Sequence, residues 1–159
     1  DLNTVDTVIK TGNVVIDAIL NSKISLAKHQ DIQVKAKAIV PADLGNSISE
    51  VDLSIILGNL MDNAIEACQQ IPDKKDRFIR VYIDILKRQL YLYIMNSSCQ
   101  KLIRTGKIYR TTKNEKYHGF GLLRVDKMVE KYEGYLNRQD EEGVFATEVM
   151  LPLIDTIRA

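Results

Sequence analysis

Hydrophobic positions change period several times along the chain, and each change predicts an element. Val5, Val8, Ile9, Val15, Ile16, Ile19, Leu20 and Ala27 recur largely at helical spacing and are interrupted at Gly12 and Asn13, which predicts two helical pieces or one kinked at Gly12. Over residues 31–40 the period falls to two, with Ile32, Val34, Ala36, Ala38 and Val40 on one face of a half-buried strand that ends at Pro41. Ser49, with Asp52 three residues later, gives a weak capping signal for a second helix. Along that helix Leu53, Ile56, Leu57, Leu60, Ala64, Ala67 and Cys68 form one broad stripe, and Asp52, Asn59, Asn63 and Glu66 share another face. Ile79, Val81, Ile83 and Ile85, then Leu90, Leu92 and Ile94, alternate with more polar neighbours on either side of a turn at residues 87–89, the pattern of an antiparallel hairpin.

Between Ser97 and Tyr117 the pattern disappears, and a stretch of that length inside a compact domain favours a functional lid. A third helix is expected to begin at the glycines Gly119 and Gly121, to carry Leu122, Val125, Met128, Val129 and Tyr132 inward, and to stop at Gly134. Residues 135–139 and 144–151 alternate as two final strands, with Phe145, Thr147, Val149 and Leu151 on one face. The order helix, strand, helix, two strands, helix, two strands lacks regular βαβ alternation. It predicts an α+β fold: a two-layer sandwich of three helices over a mixed, mostly antiparallel sheet of about five strands.

Composition narrows the function classes. The chain has 159 residues, 45% hydrophobic and 27% charged, the make-up of one globular domain. Its formal charge of +1 supplies no bulk field toward nucleic acid or a membrane surface, so a general DNA binder is not expected. No apolar run approaches the roughly 18–20 residues of a membrane helix, and residues 1–10 lack the regions of a signal peptide. Cys68 and Cys99 form neither a CxxC nor a metal-ligand pattern, which fits a reducing compartment.

Three groups of residues could carry chemistry. Asn59 and Asn63 stack one turn apart on the second helix, and carboxamide oxygens suit a hard cation such as Mg²⁺ that shares its sphere with substrate phosphates. Gly119 and Gly121, at a helix start, would let backbone N–H groups approach an anion. Thr111, Thr112 and Lys113 supply hydroxyls and an ammonium to close over a polyphosphate. Neither GxxxxGK[ST] nor the Rossmann glycine pattern is present. Of the two histidines, His29 is expected to be an ordinary surface residue, while His118 adjoins the glycines.

Together these groups resemble a known family. Leu57-Gly58-Asn59-Leu60-Met61-Asp62-Asn63-Ala64-Ile65-Glu66-Ala67 looks like the N box of the GHKL ATPase superfamily, and His118-Gly119-Phe120-Gly121-Leu122 resembles its second glycine box. With Thr112 and Lys113 upstream, the likeness is to the catalytic ATP-binding domain of peptide-sensing sensor histidine kinases of the accessory-gene-regulator type. The resemblance implies a Bergerat-type sandwich with ATP between the N-box helix and a lid. It assigns Mg²⁺ to Asn63 and Asn59, and ATP to Asn59, Asn63, Asn96, Thr112, Lys113, His118, Gly119, Gly121 and Leu122. Asn96 falls where the superfamily's first glycine box has an Asp that reads the adenine amine, and the rest of that Asp-x-Gly-x-Gly is missing. Asn59 stands where the gyrase and chaperone branches have a glutamate base, and an amide cannot take a proton at neutral pH, so transfer to a protein nucleophile is expected over hydrolysis.

The resemblance further implies that residues 1–12 are the tail of a dimerisation and phosphoacceptor helix and that residues 13–159 are the catalytic domain, with a lid at 97–117. No catalytic phosphoacceptor histidine is expected within the sequence itself. The partners implied are the phosphoacceptor helix hairpin of a longer kinase, a response regulator and a second copy in a homodimer, with the domain cytoplasmic beneath a membrane-bound sensor and no nucleic acid involved. The rival expectation is a degenerate GHKL interaction module without kinase activity, and a weaker one is a serine kinase of the anti-sigma type.

Overall fold

The first helix is set by its cap. Asn13 Oδ1 accepts the N–H of Ile16 at 3.1 Å, and α1 (Val14–His29) follows with Ile16, Leu20, Ile24 and Ala27 buried. This is a computed structural model. It describes residues 8–99, 102–105, 108–111 and 115–154, giving the course of the backbone alone for 102–105, 108–111 and 115–120. The helical piece expected before Gly12 is not formed over residues 8–12. The reason lies in two side chains of α1 that occupy the backbone groups a helix would use. Ile9 donates its N–H to Asn21 Oδ1 (2.8 Å) and accepts from Asn21 Nδ2 (2.9 Å), while the N–H groups of Thr11 and Gly12 donate to the Asp17 carboxylate at 2.9 and 3.0 Å. Burial pushes the Asp17 carboxyl up, but hydrogen bonds from Thr11 and Gly12 outweigh it and leave it below the ordinary value.

Strand β1 (Gln33–Ala38) is followed by α2 (Glu50–Gln69), whose cap is the expected one: Ser49 Oγ accepts from the N–H of Asp52 at 3.0 Å. The strands β2 (Phe78–Leu86) and β3 (Gln89–Ser97) form the expected hairpin, joined through Lys87 and Arg88, both at positive φ as a tight two-residue hairpin turn requires. Two short strands, β4 (Leu102–Thr105) and β5 (Ile108–Thr111), pair with each other inside the stretch where the sequence shows no pattern. The last elements are α3 (Glu115–Lys131), β6 (Tyr135–Glu141) and β7 (Val144–Pro152).

The main sheet has the order β1-β2-β3-β7-β6, with β1 parallel to β2 and every other pair antiparallel. All three helices pack on one side of it, so the expected α+β sandwich of three helices over a mixed, mostly antiparallel five-stranded sheet is what the described residues form. Ile79, Val81 and Ile83, Leu90, Leu92 and Ile94, and Val149 and Leu151 point into the layer between sheet and helices, where they meet Leu53, Ile56, Leu57, Leu60 and Ala64 of α2. Each fully buried Leu or Ile there stabilises the fold by about 1.5–3 kcal/mol.

Asp52 keeps the face expected for it, with Asn59 and Asn63 on the side of α2 that meets α3, but it is buried at the start of the helix, where Lys131 Nζ reaches it at 2.7 Å and the Tyr132 hydroxyl donates to it. Those contacts join the first turn of α2 to the last turn of α3.

Candidate functional site

The apolar stripe of α2 turns Leu60 and Ala64 into the core, which leaves Asn59 and Asn63 at the rim of the stripe where α3 packs alongside. The two helices come close because α3 presents Gly121 at the seam. A Cβ on Gly121 would lie 3.1 Å from Asn63 Oδ1, 3.5 Å from Asn63 Nδ2 and 3.7 Å from Asn59 Oδ1. Glycine is needed here for close approach.

The amides are not spent on each other. Asn59 Nδ2 donates to the carbonyl of Ile55 at 2.7 Å, so its oxygen is the atom turned to the seam. Among the described residues, Asn63 Nδ2 is buried and has no hydrogen-bond partner. A buried amide donor left unpaired costs about 1–3 kcal/mol, so it is the kind of group that a ligand oxygen satisfies. Two neutral oxygens and one unsatisfied N–H, gathered where Gly121 lets α3 approach α2 closely, are the donor types that suit a hard cation with phosphate oxygens around it. Neither amide can accept a proton near neutrality, so the pair can bind and orient but cannot serve as a base. Among the described residues no His, Cys, Asp and Glu side chains gather into a group that could hold a metal ion.

The third helix begins at Glu115, so Gly119 and Gly121 lie inside it and not at its start. Gly121 therefore acts through the close approach it allows, and the expected helix start at the glycines is corrected to a contact along a helix side. Leu122, the next residue, is buried against Phe145. His118 and Gly119 fall on the first turns of α3, where only the backbone course is described, and Thr112 and Lys113 lie outside the described residues. The lid expected at 97–117 is described at its two strands and at the ends of its neighbours, and β5 packs on α3.

Asn96 lies near the end of β3, on the face of the sheet that the helices cover, opposite Ile79 on one side and Phe145 on the other. It is buried, and its Nδ2 donates to the carbonyl of Ser97 at 2.9 Å, which leaves the carboxamide oxygen as the side chain's acceptor. Sequence reasoning passed over Thr147, a buried hydroxyl on the same face of β7, paired with Ile94 two residues before Asn96. The signal was available: a single polar residue in the inward series Phe145, Thr147, Val149, Leu151. Cys68 closes the base of this region, with its thiol against the carbonyls of Phe78 and Ser97 and the Ser97 hydroxyl; burial pushes its pKa up, away from thiolate chemistry. His29 is an exposed residue at the end of α1, its Nδ1 2.8 Å from the carbonyl of Ser25.

Similar architectures are known. The chain superposes on the catalytic domain of the histidine kinase ThkA in a nucleotide-free form, with a TM-score of 0.68 and 17% identity over 90% of this chain and 95% of that one. It also superposes on the Acinetobacter baumannii histidine kinase AdeS, with a TM-score of 0.64 and 12% identity over 89% of this chain. In that case it spans 64% of the relative. A third likeness is to the histidine kinase domain of a blue-light-activated kinase from Erythrobacter litoralis, with a TM-score of 0.60 and 17% identity over 93% of this chain and 67% of that one. At these identities the likeness is one of fold. No curated protein matches the chain. Residues 48–152, which hold the amides of α2, Gly121, Asn96 and Thr147, match the model of the GHKL domain, and the chain belongs to that family.

Proposed function

We propose that the chain is the ATP-binding catalytic domain of a two-component sensor histidine kinase of the peptide-sensing, accessory-gene-regulator type. Its γ-phosphoryl acceptor would be a histidine on a helix hairpin outside this sequence, and a response regulator aspartate the later recipient. The observation that carries the reading is the seam where Gly121 brings α3 against the carboxamides of Asn59 and Asn63, with Asn63 Nδ2 buried and unpaired. GHKL ATPase domains bind ATP, and the described residues offer acceptors and donors for its two ends.

Asn63 and Asn59 would hold Mg²⁺ through their carboxamide oxygens, and the ion would neutralise phosphate charge and polarise the bond to be broken. The chain's own residues do the rest by position. Asn63 Nδ2 would donate to a phosphate oxygen, and the flank of α3 at Gly121 borders the two amides. Asn96 Oδ1 would accept from the adenine amine, with Thr147 on the neighbouring strand. Thr112, Lys113, His118 and Gly119 are proposed to cover the phosphates.

With an amide at Asn59 there is no side chain to take a proton from water at that point, which favours phosphoryl transfer to a protein nucleophile over hydrolysis. A homodimer of the longer protein, and a cytoplasmic position beneath a membrane-bound sensor, belong to the same proposal. No helix among the described residues is long and apolar enough to cross a membrane.

Titration calorimetry with ATP and Mg²⁺ tests the reading. Binding that is lost in Asn63→Ala while the variant stays folded is the expected result. A flat titration of the unmodified chain at millimolar ATP would instead favour an interaction module that keeps the fold, as the missing first glycine box allows.

A further inference from the structure

The geometry points to Arg138 as a positioning residue that holds α3 at the rotation and height where Gly121 meets the amides of α2. This inference rests on the ATP reading above and adds a residue to it.

Arg138 sits on β6 at an inward position, two residues after Leu136, where the alternation of a half-buried strand calls for an apolar side chain. It is buried all the same, with its side chain 2% exposed. Its guanidinium spans two points of α3: Nη1 lies 2.8 Å from Asp126 Oδ1, and Nη2 donates to the carbonyl of Leu122 at 3.4 Å. Leu122 adjoins Gly121 and Asp126 lies one turn further on, so the planar fork grips the helix at two heights beside the residue that matters for the seam.

Burying an ion pair costs several kcal/mol of desolvation per ion, and apolar residues of similar volume serve the core as well or better. The pair therefore adds little to stability that leucine or methionine could not. What apolar packing does not supply is a fixed rotation: a helix resting on smooth side chains can slide or turn by a fraction of an ångström at little cost. At the seam a movement of that size counts, because a Gly121 Cβ would already stand 3.1 Å from Asn63 Oδ1. The triphosphate end of the site is bounded by α3, whereas Asn96 and Thr147 are carried by β3 and β7.

The test is a comparison of two ligands on one variant pair. In Arg138→Met with Asp126→Leu both charges of the pair are removed together, so neither is left facing an apolar replacement. The expected result is a melting temperature equal to or above that of the unmodified chain, unchanged adenosine binding, and a Kd for ATP with Mg²⁺ raised about tenfold or more, as loss of preorganised geometry produces. Arg138→Lys keeps the charge opposite Asp126 but cannot fork, and is expected to shift in the same direction by about threefold. If the double variant does not fold, Arg138→Lys decides with the same two ligands. ATP binding as tight as in the unmodified chain, or equal proportional losses of adenosine and ATP, overturns the positioning role. Failure of the unmodified chain to bind ATP at all would overturn the reading of the site itself, and this inference with it.

Discussion

Gly121 of α3 and Asn63 of α2 are fitted to each other, since a single added carbon at Gly121 would stand 3.1 Å from Asn63 Oδ1. That is tighter than ordinary carbon–oxygen contact, so any side chain at residue 121 must displace the amide or part the helices. The consequence is measurable. In a helix interior Ala is favoured over Gly by about 1 kcal/mol, which offsets the crowding, so Gly121→Ala is expected to fold with nearly unchanged thermal stability. Its Kd for ATP with Mg²⁺ is expected to rise about tenfold, because the amide that would face the phosphates is pushed aside. Calorimetry on the folded variant decides it, and an unaltered Kd would mean that Asn63 does not touch the ligand.

Asn96, at the position where the proposed reading looks for an adenine-reading aspartate, has a local contact that yields a second test. Asn96 Nδ2 donates to the carbonyl of its neighbour Ser97 at 2.9 Å, inside a buried strand end. An aspartate there would set a carboxylate oxygen against that carbonyl in place of an N–H, and would bury a charge as well. An acidic residue there is therefore expected to harm. Asn96→Asp should lose about 1–3 kcal/mol in urea unfolding and should not tighten adenosine binding. A variant that binds adenosine more tightly at full stability would show that the Ser97 contact is dispensable.

Much of this was legible in the sequence, and what was not has physical causes. Periodicity fixed α2 and the alternating strands, because the stripe containing Leu53, Ile56 and Leu60 and the series Ile79, Val81 and Ile83 each meet the same core. The segment at residues 8–12 misled because apolar spacing around Ile9 looks helical, while its backbone is claimed by Asn21 and Asp17, residues further along the chain. A helical wheel sets Asp52 correctly on the face of Asn59 and Asn63, which meets α3, but it could not name its partners Lys131 and Tyr132, which lie 79 and 80 residues away. The start of α3 was read four residues too late because Glu115 to His118 carries no apolar stripe. Asn59 and Asn63 could be paired from spacing alone, but their meeting with Gly121 depends on how α2 and α3 pack.

Gly134, just after α3, offers a stability test apart from the site. A Cβ there would fall 2.5 Å from the backbone carbonyl of Met150 on β7, 2.9 Å from Leu151 Cδ2 and 3.2 Å from Val129 Cγ1. A backbone oxygen held in a sheet between β3 and β6 cannot move aside as a side-chain end can. Gly134→Ala is expected to cost about 3 kcal/mol or more, the upper range for overpacking, seen as a lower urea midpoint. A loss below about 1 kcal/mol would mean that the passage from α3 into β6 is looser than its geometry.

The tie between the ends of α2 and α3 makes a pH-dependent prediction whose sign follows from its contacts. Hydrogen bonds from Lys131 and Tyr132, against the opposing effect of burial, hold the Asp52 carboxyl below its ordinary value. A carboxyl depressed in the folded state stabilises the fold above its unfolded pKa of about 3.9 and loses that contribution as pH falls through the folded value. The same contact raises Lys131, chiefly through its hydrogen bond to Asp52, so its contribution is present at neutral pH and is lost only as pH rises through the folded value above the usual lysine range. Asp52→Asn removes the carboxylate that both depend on. Unfolding free energies measured from pH 2 to 7 should show the variant less stable than the unmodified chain at neutral pH and the two curves drawing together in acid, because only the unmodified chain has this interaction to lose. Curves that run parallel over the whole range would mean that Asp52 is not what joins the two helices.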